Sequence, residues 1–369
     1  MRILIKHVGG MGDFVFFVPP IVESLKKKYP QASVDVLTTC SINRSIKIKP
    51  ISKWPFIGRK NVRIWGEPQS SRSGYCIDLI VANPFVDNVI NFHSSKVDLD
   101  GKLLNAYCYD RCIKTWNLTY LNKVLSKNIY DKFLDIDSIQ LNRFSNPLRL
   151  FFSKLGEGEV YYSNYKTYTT KEDKRKIDGI IKKYPRPRIL FCEGIDSLAM
   201  RSWTSEKVTA LAQMIKEKYS VDPIWFGKKD IPIIDSRPLT LREHAEFARR
   251  CDVAIGNANG PFHLAASVGV PTILLLSLLS MERVAPEYHL NPYISNPSLS
   301  HVTVHALECD KHCDLKPKEP CDQFGSIIEQ GWNSSDDPGR QLTKSCGAAI
   351  SEETVFETLQ KVLKKRGFL

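Results

Sequence analysis

The run IGNANGPFHLAASVGVPTILLLS, Ile255–Ser277, confines the fold more tightly than any other stretch of the chain. Its apolar pieces, VAI (Val253–Ile255, overlapping its start) and TILLL (Thr272–Leu276), read as short buried strands. Between them lie a polar turn, Asn257-Ala258-Asn259-Gly260, and a helix rich in small residues that opens at about Pro261. Proline suits the first helical turn, where its missing N–H has no intrahelical partner to lose. Ala265, Ala266, Ser267 and Gly269 let that helix approach a sheet closely. A helix start at the carboxyl end of a strand is where open α/β sheets bind ligands. Its free amides and partial positive charge favour phosphate or pyrophosphate. His263, one turn in, is either a hydrogen-bonding partner for that guest or a satisfied buried histidine at a strand–helix junction.

The same alternation runs along most of the chain. RILIKHV (Arg2–Val8) reads as a strand, followed by the turn GGMGD, a helix from Phe14 to about Pro30, and a strand at Val34–Thr39. VRIW (Val62–Trp65) and DLIVA (Asp78–Ala82) read as further strands, and residues 91–163 as helical with loops. The pattern restarts near residue 188 with strands at RILFCEG (Arg188–Gly194) and DPIWFG (Asp222–Gly227). SEKVTALAQMIKEKY (Ser205–Tyr219) is amphipathic, with Ser205 as its cap, and LTLREHAEFARRC (Leu239–Cys251) carries Thr240 and Glu243 at capping-box spacing. A last amphipathic helix follows Ser351. Strand–helix alternation of this kind argues for parallel sheets covered by helices on both faces. The expected organisation is two α/β domains, residues 1–175 and 176–369, joined within YKTYTTKEDKRKIDG or the KKYPRPR that follows.

A length of 369 residues suits two domains that each bury a core. With 43% apolar and 25% charged residues the composition is that of a soluble globular protein. No run approaches the roughly 20 apolar residues of a membrane span, and the N-terminus reads as a first strand and not a signal peptide, so a cytoplasmic location is expected. The net charge of +12 admits nucleic acid, an anionic membrane surface or an anionic small molecule as partner. Basic clusters at Lys26–Lys28, Lys171–Lys176, Lys182–Arg188 and Lys364–Arg366 read individually as solvated helix faces. A nucleic-acid partner would rest on charge alone, with no stacking or zinc-finger pattern beside it. Cys192 and Cys251 read as reduced thiols in or near the core.

Two further motifs carry chemistry. GGMGDF (Gly9–Phe14) follows the first strand directly, and Gly12 lets the backbone approach a ligand. The third glycine of a dinucleotide fingerprint is missing, since Val15 stands there. Asp13 is placed either as a general base at the mouth of a sheet or as a helix N-cap. Late in the chain Cys309, Cys313, Cys321 and Cys346 supply four thiolates, a set able to hold a structural zinc or iron ion. Free thiols or a disulfide are the simpler alternative for that spacing.

Together these residues resemble glycosyltransferase family 9, the ADP-heptose:lipopolysaccharide heptosyltransferases. GGMGDFVFFVPPIVESLKKKYPQASVDVLTT is similar to the family's N-terminus, and DVAIGNANGPFHLAASVGVPTILL to its second hallmark. MRSWTSEKVTALAQMI and CGAAISEETVFETLQKVL match weaker family segments. The resemblance implies a GT-B fold: two Rossmann-like domains facing a cleft, closed by a C-terminal helix. It implies an inverting transferase with Asp13 as general base and no cofactor required for catalysis. Gly12, Arg201, Asn257, Asn259, Gly260, Pro261 and His263 fall on the donor side. Asp230 lies near where the family often has an acidic residue. The implied partners are a nucleotide-sugar donor, ADP-heptose first, and an anionic glycan or lipid-linked acceptor, with the protein peripheral to the inner membrane. One position departs. The family's Asn-Asp-Ser/Thr-Gly is here Asn257-Ala258-Asn259-Gly260, and a methyl group cannot accept hydrogen bonds from sugar hydroxyls. Two alternatives stand beside this: transfer to protein hydroxyls, which the late cysteine cluster motivates, and a non-catalytic chain that binds nucleotide or glycan, which Ala258 motivates.

Overall fold

The computed structural model describes residues 1–7, 11–38, 63–65, 79–80, 82–91, 96–99, 102–105, 130–136, 166–192, 203, 205–225, 239–276, 301–305 and 350–368. The chain divides into two compact units, Met1–Leu141 with Pro147–Lys176 and Leu239–Ala245, and Asn142–Asn146 with Ile177–Pro238 and Glu246–Leu369.

The first unit is built on β1 (Arg2–His7), α1 (Met11–Lys28), β2 (Ser33–Thr38), β3 (Arg63–Trp65), β4 (Asn88–Asn91), β5 (Lys96–Leu99), β6 (Lys102–Asn105) and β7 (Lys132–Asp135). Five strands form one sheet in the order β3-β4-β2-β1-β7, every pairing parallel. β5 and β6 pair antiparallel beside it in sequence. Ile3, Leu4 and Ile5 of β1 and Val34, Val36 and Leu37 of β2 are buried, as strands covered on both faces require. α1 carries Lys26, Lys27 and Lys28 in its last turn, where cations suit the helix dipole. Lys26 also pairs with Asp87 at 2.8 Å and Lys27 with Glu23 at 3.3 Å.

Three readings from the sequence change here. Leu79 and Ile80, expected in a strand, are helical and buried; a short apolar run does not distinguish the two states. The stretch 91–163, expected to be helical with loops, contains β5, β6 and β7. These are four-residue strands with charged ends, KVDL, KLLN and KFLD, too short to show a period. α1 begins at Met11, so Asp13 is its third residue and not its N-cap. Gly12, its neighbour, is half-buried.

β1 and β7 are joined by a buried ion pair. Lys6 Nζ donates to both carboxylate oxygens of Asp135 at 2.9 Å, with the two side chains 8% and 10% exposed. Deeper in the same unit, Asp35 accepts from Asn88 Nδ2 at 2.6 Å and from the Tyr130 hydroxyl at 2.9 Å, joining β2, β4 and the entry to β7.

The chain continues through α2 (Lys171–Ile181), β8 (Ile189–Phe191), α3 (Ser205–Tyr219), β9 (Ile224–Trp225), α4 (Leu241–Arg249), β10 (Val253–Asn257), α5 (Gly260–Ser267), β11 (Thr272–Leu276), β12 (His301–His305) and α6 (Glu352–Lys365). The division between the units falls inside α2 and α4. The second sheet has the order β12-β11-β10-β8-β9, again parallel throughout. Ile189, Phe191, Val253, Ile255, Ile273 and Leu275, alternate residues of three strands, share one core with Leu211 and Ile215 of α3 and Val355, Leu359 and Val362 of α6. The intervening Leu190, Ala254 and Leu274 are fully buried too, so the sheet is covered on both faces. The expected capping box is present: Thr240 N donates to Glu243 Oε2 at 2.8 Å and Glu243 N to Thr240 Oγ1 at 3.2 Å. Ser351 caps α6 by accepting from Thr354 N at 3.2 Å. Ser205, expected as a cap, is the first residue of α3 itself. No helix among the described residues is long and apolar enough to cross a membrane. The α/β class with parallel sheets is borne out.

Removing one member of the buried pair between β1 and β7 deprives the other of its ion pair in a nearly water-free place. Lys6→Met should therefore cost about 3–5 kcal/mol in urea unfolding, and adding Asp135→Leu should recover most of that loss. A single variant as stable as the parent would show that the pair holds nothing together.

Candidate functional site

The site is assembled where β8 and β10 end side by side. β10 runs in register with β8, Ile255 opposite Phe191, and Cys192 N donates to Ile255 O at 2.7 Å. One residue further, the backbones come too close for a side chain. A Cβ on Gly256 would stand 2.3 Å from the carbonyl oxygen of Cys192 and 2.8 Å from its carbon. This glycine is required by packing, and an isolated glycine within a strand is the sequence signal for such an approach.

The chain then turns through Asn257, Ala258 and Asn259 into α5. Asn259 has extended backbone angles, φ −134° and ψ 175°, and is the N-cap of α5, its Oδ1 accepting from Phe262 N at 2.9 Å. Its Nδ2 donates to Cys192 O at 2.7 Å and also to Asn257 Oδ1. One amide thus ties the end of β8, the end of β10 and the first turn of α5 together, and both its hydrogens are used within the protein. Asn257 and Asn259 are buried at 2% and 9% exposure, whereas Ala258 between them is half-buried. His263 N closes the first helical hydrogen bond to Asn259 O at 3.0 Å, and its ring, 6% exposed, lies edge-on to Phe262 at 5.7 Å.

This arrangement decides which amides α5 can offer. Pro261 has no N–H, and that of Phe262 is taken by its own cap. The amide of Gly260 is left at the helix end, with the dipole of the eight-residue helix behind it. Beside the turn is a small cavity of about 20 Å³, the size of one water, lined by Phe191, Trp203 and Trp225, by Val208, Ile255 and Leu275, and by Gly256 and Asn257. Trp225 is 2% exposed and its indole N–H meets no acceptor among the described residues. Phe191 and Trp225 meet edge to face at 6.1 Å. Sequence reasoning did not single out Trp225 or the Cys192 carbonyl, because a backbone oxygen carries no residue signal and a lone tryptophan in a two-residue strand carries a weak one.

Of the residues expected at the site, Asn257, Asn259, Gly260, Pro261 and His263 are brought together at the β10–α5 junction. Asp13 and Gly12 lie in the first turn of α1 in the other unit, Asp13 placed by its backbone alone. Arg201, Asp230 and the four late cysteines, Cys309, Cys313, Cys321 and Cys346, lie outside the described residues. Among the described residues no group of three or more His, Cys, Asp or Glu could hold a metal ion. His7, which the sequence did not single out, closes β1 in a buried place 5.9 Å from the ring of Phe14 and 6.5 Å from that of Phe17.

Cys192 and Cys251 are free and buried, as expected. Burial pushes the Cys192 thiol well above its ordinary range, with the neighbouring Cys251 adding to the shift. Cys251 is raised as well, by burial first and by the Asp252 carboxylate second, while Arg188 opposes.

The fold, two α/β units each built on a parallel sheet, is one shared with glycosyltransferases of known structure. The structure is similar to that of a family 9 glycosyltransferase from Veillonella parvula, with a TM-score of 0.55 and 14% identity over 99% of this chain and 97% of that one. It is similar as well to the E. coli ADP-heptose lipopolysaccharide heptosyltransferase II, with a TM-score of 0.54 and 13% identity over the whole of both chains. In sequence the chain is 22% identical over 249 residues to lipopolysaccharide heptosyltransferase 1 of Campylobacter coli, covering 64% of this chain and 70% of that protein. No family model matches the chain. The particular family it resembles is glycosyltransferase family 9, so the resemblance and the enzyme class read from the sequence are both borne out.

Two measurements test the knot. Asn259→Ala should lower stability in urea by about 1–2 kcal/mol through loss of the cap. Asn259→Asp, which keeps the capping oxygen but cannot donate to Cys192 O, should not restore the parent value; if it does, the link to β8 contributes nothing. The raised thiols give a second outcome. Held protonated in the fold and freer to ionise when unfolded, they stabilise it fully below the ordinary thiol range and lose that contribution as pH climbs above it. Native protein treated with iodoacetamide near pH 8 should leave Cys192 and Cys251 unmodified by peptide mapping, and labelling of either would contradict its burial.

Proposed function

We propose that the chain is an inverting glycosyltransferase that moves a sugar, heptose from ADP-heptose as first choice, to a lipopolysaccharide core or a related surface glycan. The observation that carries this is the Asn259-capped start of α5 at the carboxyl end of β10, beside an aromatic cavity. Pyrophosphate at the Gly260 amide would meet the positive end of a helix dipole. Lipopolysaccharide heptosyltransferase 1 of Campylobacter coli and the ADP-heptose heptosyltransferase of E. coli support the choice of donor and acceptor class.

In this reading the acceptor hydroxyl oxygen attacks the anomeric carbon and Asp13 takes the hydroxyl proton. The bond from that carbon to the phosphate oxygen breaks, and ADP leaves with its charge stabilised by α5 and Arg201. Asn257, Asn259, Gly260, Pro261 and His263 make up the donor side, with Asn259 shaping the turn and Gly260 meeting the phosphates. Gly12, in the first turn of α1, joins the donor side by letting the backbone approach the ligand. A domain joint near residues 175 and 176 divides acceptor side from donor side. Such a transfer needs no catalytic cofactor.

Ala258 motivates a second reading. It stands half-buried between two asparagines whose amides bond to one another, and offers no acceptor to a sugar. A chain that binds nucleotide without turnover would have the same knot.

A donor screen scored by nucleotide release separates the two. ADP should be released from ADP-heptose in the presence of acceptor, and Asp13→Asn should slow that release by about 10²–10⁴-fold while leaving donor affinity nearly unchanged. An unchanged rate would remove Asp13 as base. ADP binding without release from any nucleotide sugar would establish the second reading instead.

A further inference from the structure

Two basic tracts far apart in sequence meet on the surface of the second unit. The first is KKYPRPR, Lys182–Arg188, in the turn after α2; the second is KKRGF, Lys364–Phe368, at the end of α6. The meeting point is Asp252, 1% exposed, at the entry to β10. Arg186 is hydrogen-bonded to Asp252 through both Nε, at 3.1 Å, and its NH2 group. Arg188 N donates to the same carboxylate at 2.8 Å, and the Arg366 guanidinium stands 3.8 Å from it.

The end of α6 is shaped to make this meeting. Gly367 has φ +78°, a left-handed conformation that glycine adopts without strain. Gly367 N then donates to Lys364 O at 3.0 Å and Phe368 N to Leu363 O at 3.1 Å. This pattern reverses the chain at a helix end. It folds Phe368 back to where Arg186 lies over its ring at 4.8 Å. Lys182 and Lys183 are within four residues of Arg186 along the chain, at most roughly 14 Å from it, and Lys364 and Lys365 adjoin Arg366.

The charge balance is one-sided. The two tracts contribute seven basic residues, against which Asp252 sets a single buried acid. Lys182, Lys183, Lys364 and Lys365 are exposed and make no ion pair among the described residues, while Arg186 keeps 55% of its side chain in solvent. Asp252 anchors the arginines without neutralising the lysines. A cluster of flexible lysines around a half-buried aromatic fits a surface that presents many anionic groups at no fixed spacing.

We propose that this patch, Lys182, Lys183, Arg186, Lys364, Lys365 and Arg366 around Phe368, docks the protein on an anionic phospholipid surface. The proposal deepens the acceptor side of the proposed function, since a lipid-linked glycan is met at a bilayer. Lysine clusters of this size are drawn to negative leaflets with a strength that falls as salt rises.

Vesicle sedimentation tests it with the full-length protein. Vesicles of phosphatidylcholine with ~30 mol% phosphatidylglycerol should carry the protein down at low salt, and vesicles of phosphatidylcholine alone should not. The variant Lys182→Gln/Lys183→Gln/Lys364→Gln/Lys365→Gln should partition at least about 10-fold less, with an unchanged thermal midpoint. Lys171→Gln/Lys174→Gln, which removes exposed charge from the start of α2, should bind as the parent does. Equal binding to neutral vesicles, equal loss in the α2 variant, or no loss in the four-site variant would overturn the proposal. So would a single-stranded oligonucleotide that displaces the vesicles at the same salt and is lost with the same four lysines, which would assign the patch to nucleic acid. Nucleotide release with a soluble acceptor, measured on the same variants, should be unchanged. That keeps a failure of docking distinct from a failure of the transferase reading.

Discussion

The side-chain amide of Asn259 is the interaction on which the arrangement of this site depends. Its Oδ1 fixes the first turn of α5 through Phe262 N, and its Nδ2 reaches back to the last carbonyl of β8 and across to Asn257. Three elements that the chain reaches at different times are thereby held at one point. The link is possible because Gly256 has no side chain: any Cβ there would collide with the Cys192 carbonyl that Asn259 needs as acceptor. A strand glycine and a capping asparagine are two halves of one device, one admitting the close approach and the other using it.

Each unit reaches its stability in a different way. The second unit is held by alternate apolar residues of its strands against α3 and α6. The first unit buries charges within its sheet, Lys6 with Asp135 and Asp35 with Asn88 and Tyr130. Buried polar groups of that kind are tolerated only when every partner is supplied, which makes strand order and register in this sheet strongly specified. Asp252 applies the same logic at a surface. A nearly buried carboxylate collects arginines from two tracts, and its hydrogen bond to Arg186 raises the guanidinium's hold on its proton.

Much of this was legible beforehand, where the physics is local. Helical periodicity placed α3 with its observed bounds, Ser205–Tyr219, and the Thr240–Glu243 spacing announced a capping box that is present. Asn-Gly-Pro after an apolar run located the turn into α5. The expectations that failed share a cause. Leu79 and Ile80 lie in a run too short to show a period, and β5, β6 and β7 are four-residue strands with charged ends. Of the two readings of Asp13, the cap alone falls, because α1 starts two residues earlier.

The sequence by itself therefore determined the element types wherever a period or a cap could be read, the parallel α/β class that follows from their alternation, and the turn into α5. These follow from interactions between residues a few positions apart. Only the tertiary structure decided that Asn259 bonds to the carbonyl of Cys192, that Trp225 lines a cavity beside it, and that Lys182–Arg188 and Lys364–Phe368 form one patch. Those contacts join residues far apart in the chain, several of them through backbone atoms, and backbone atoms are the same in every residue.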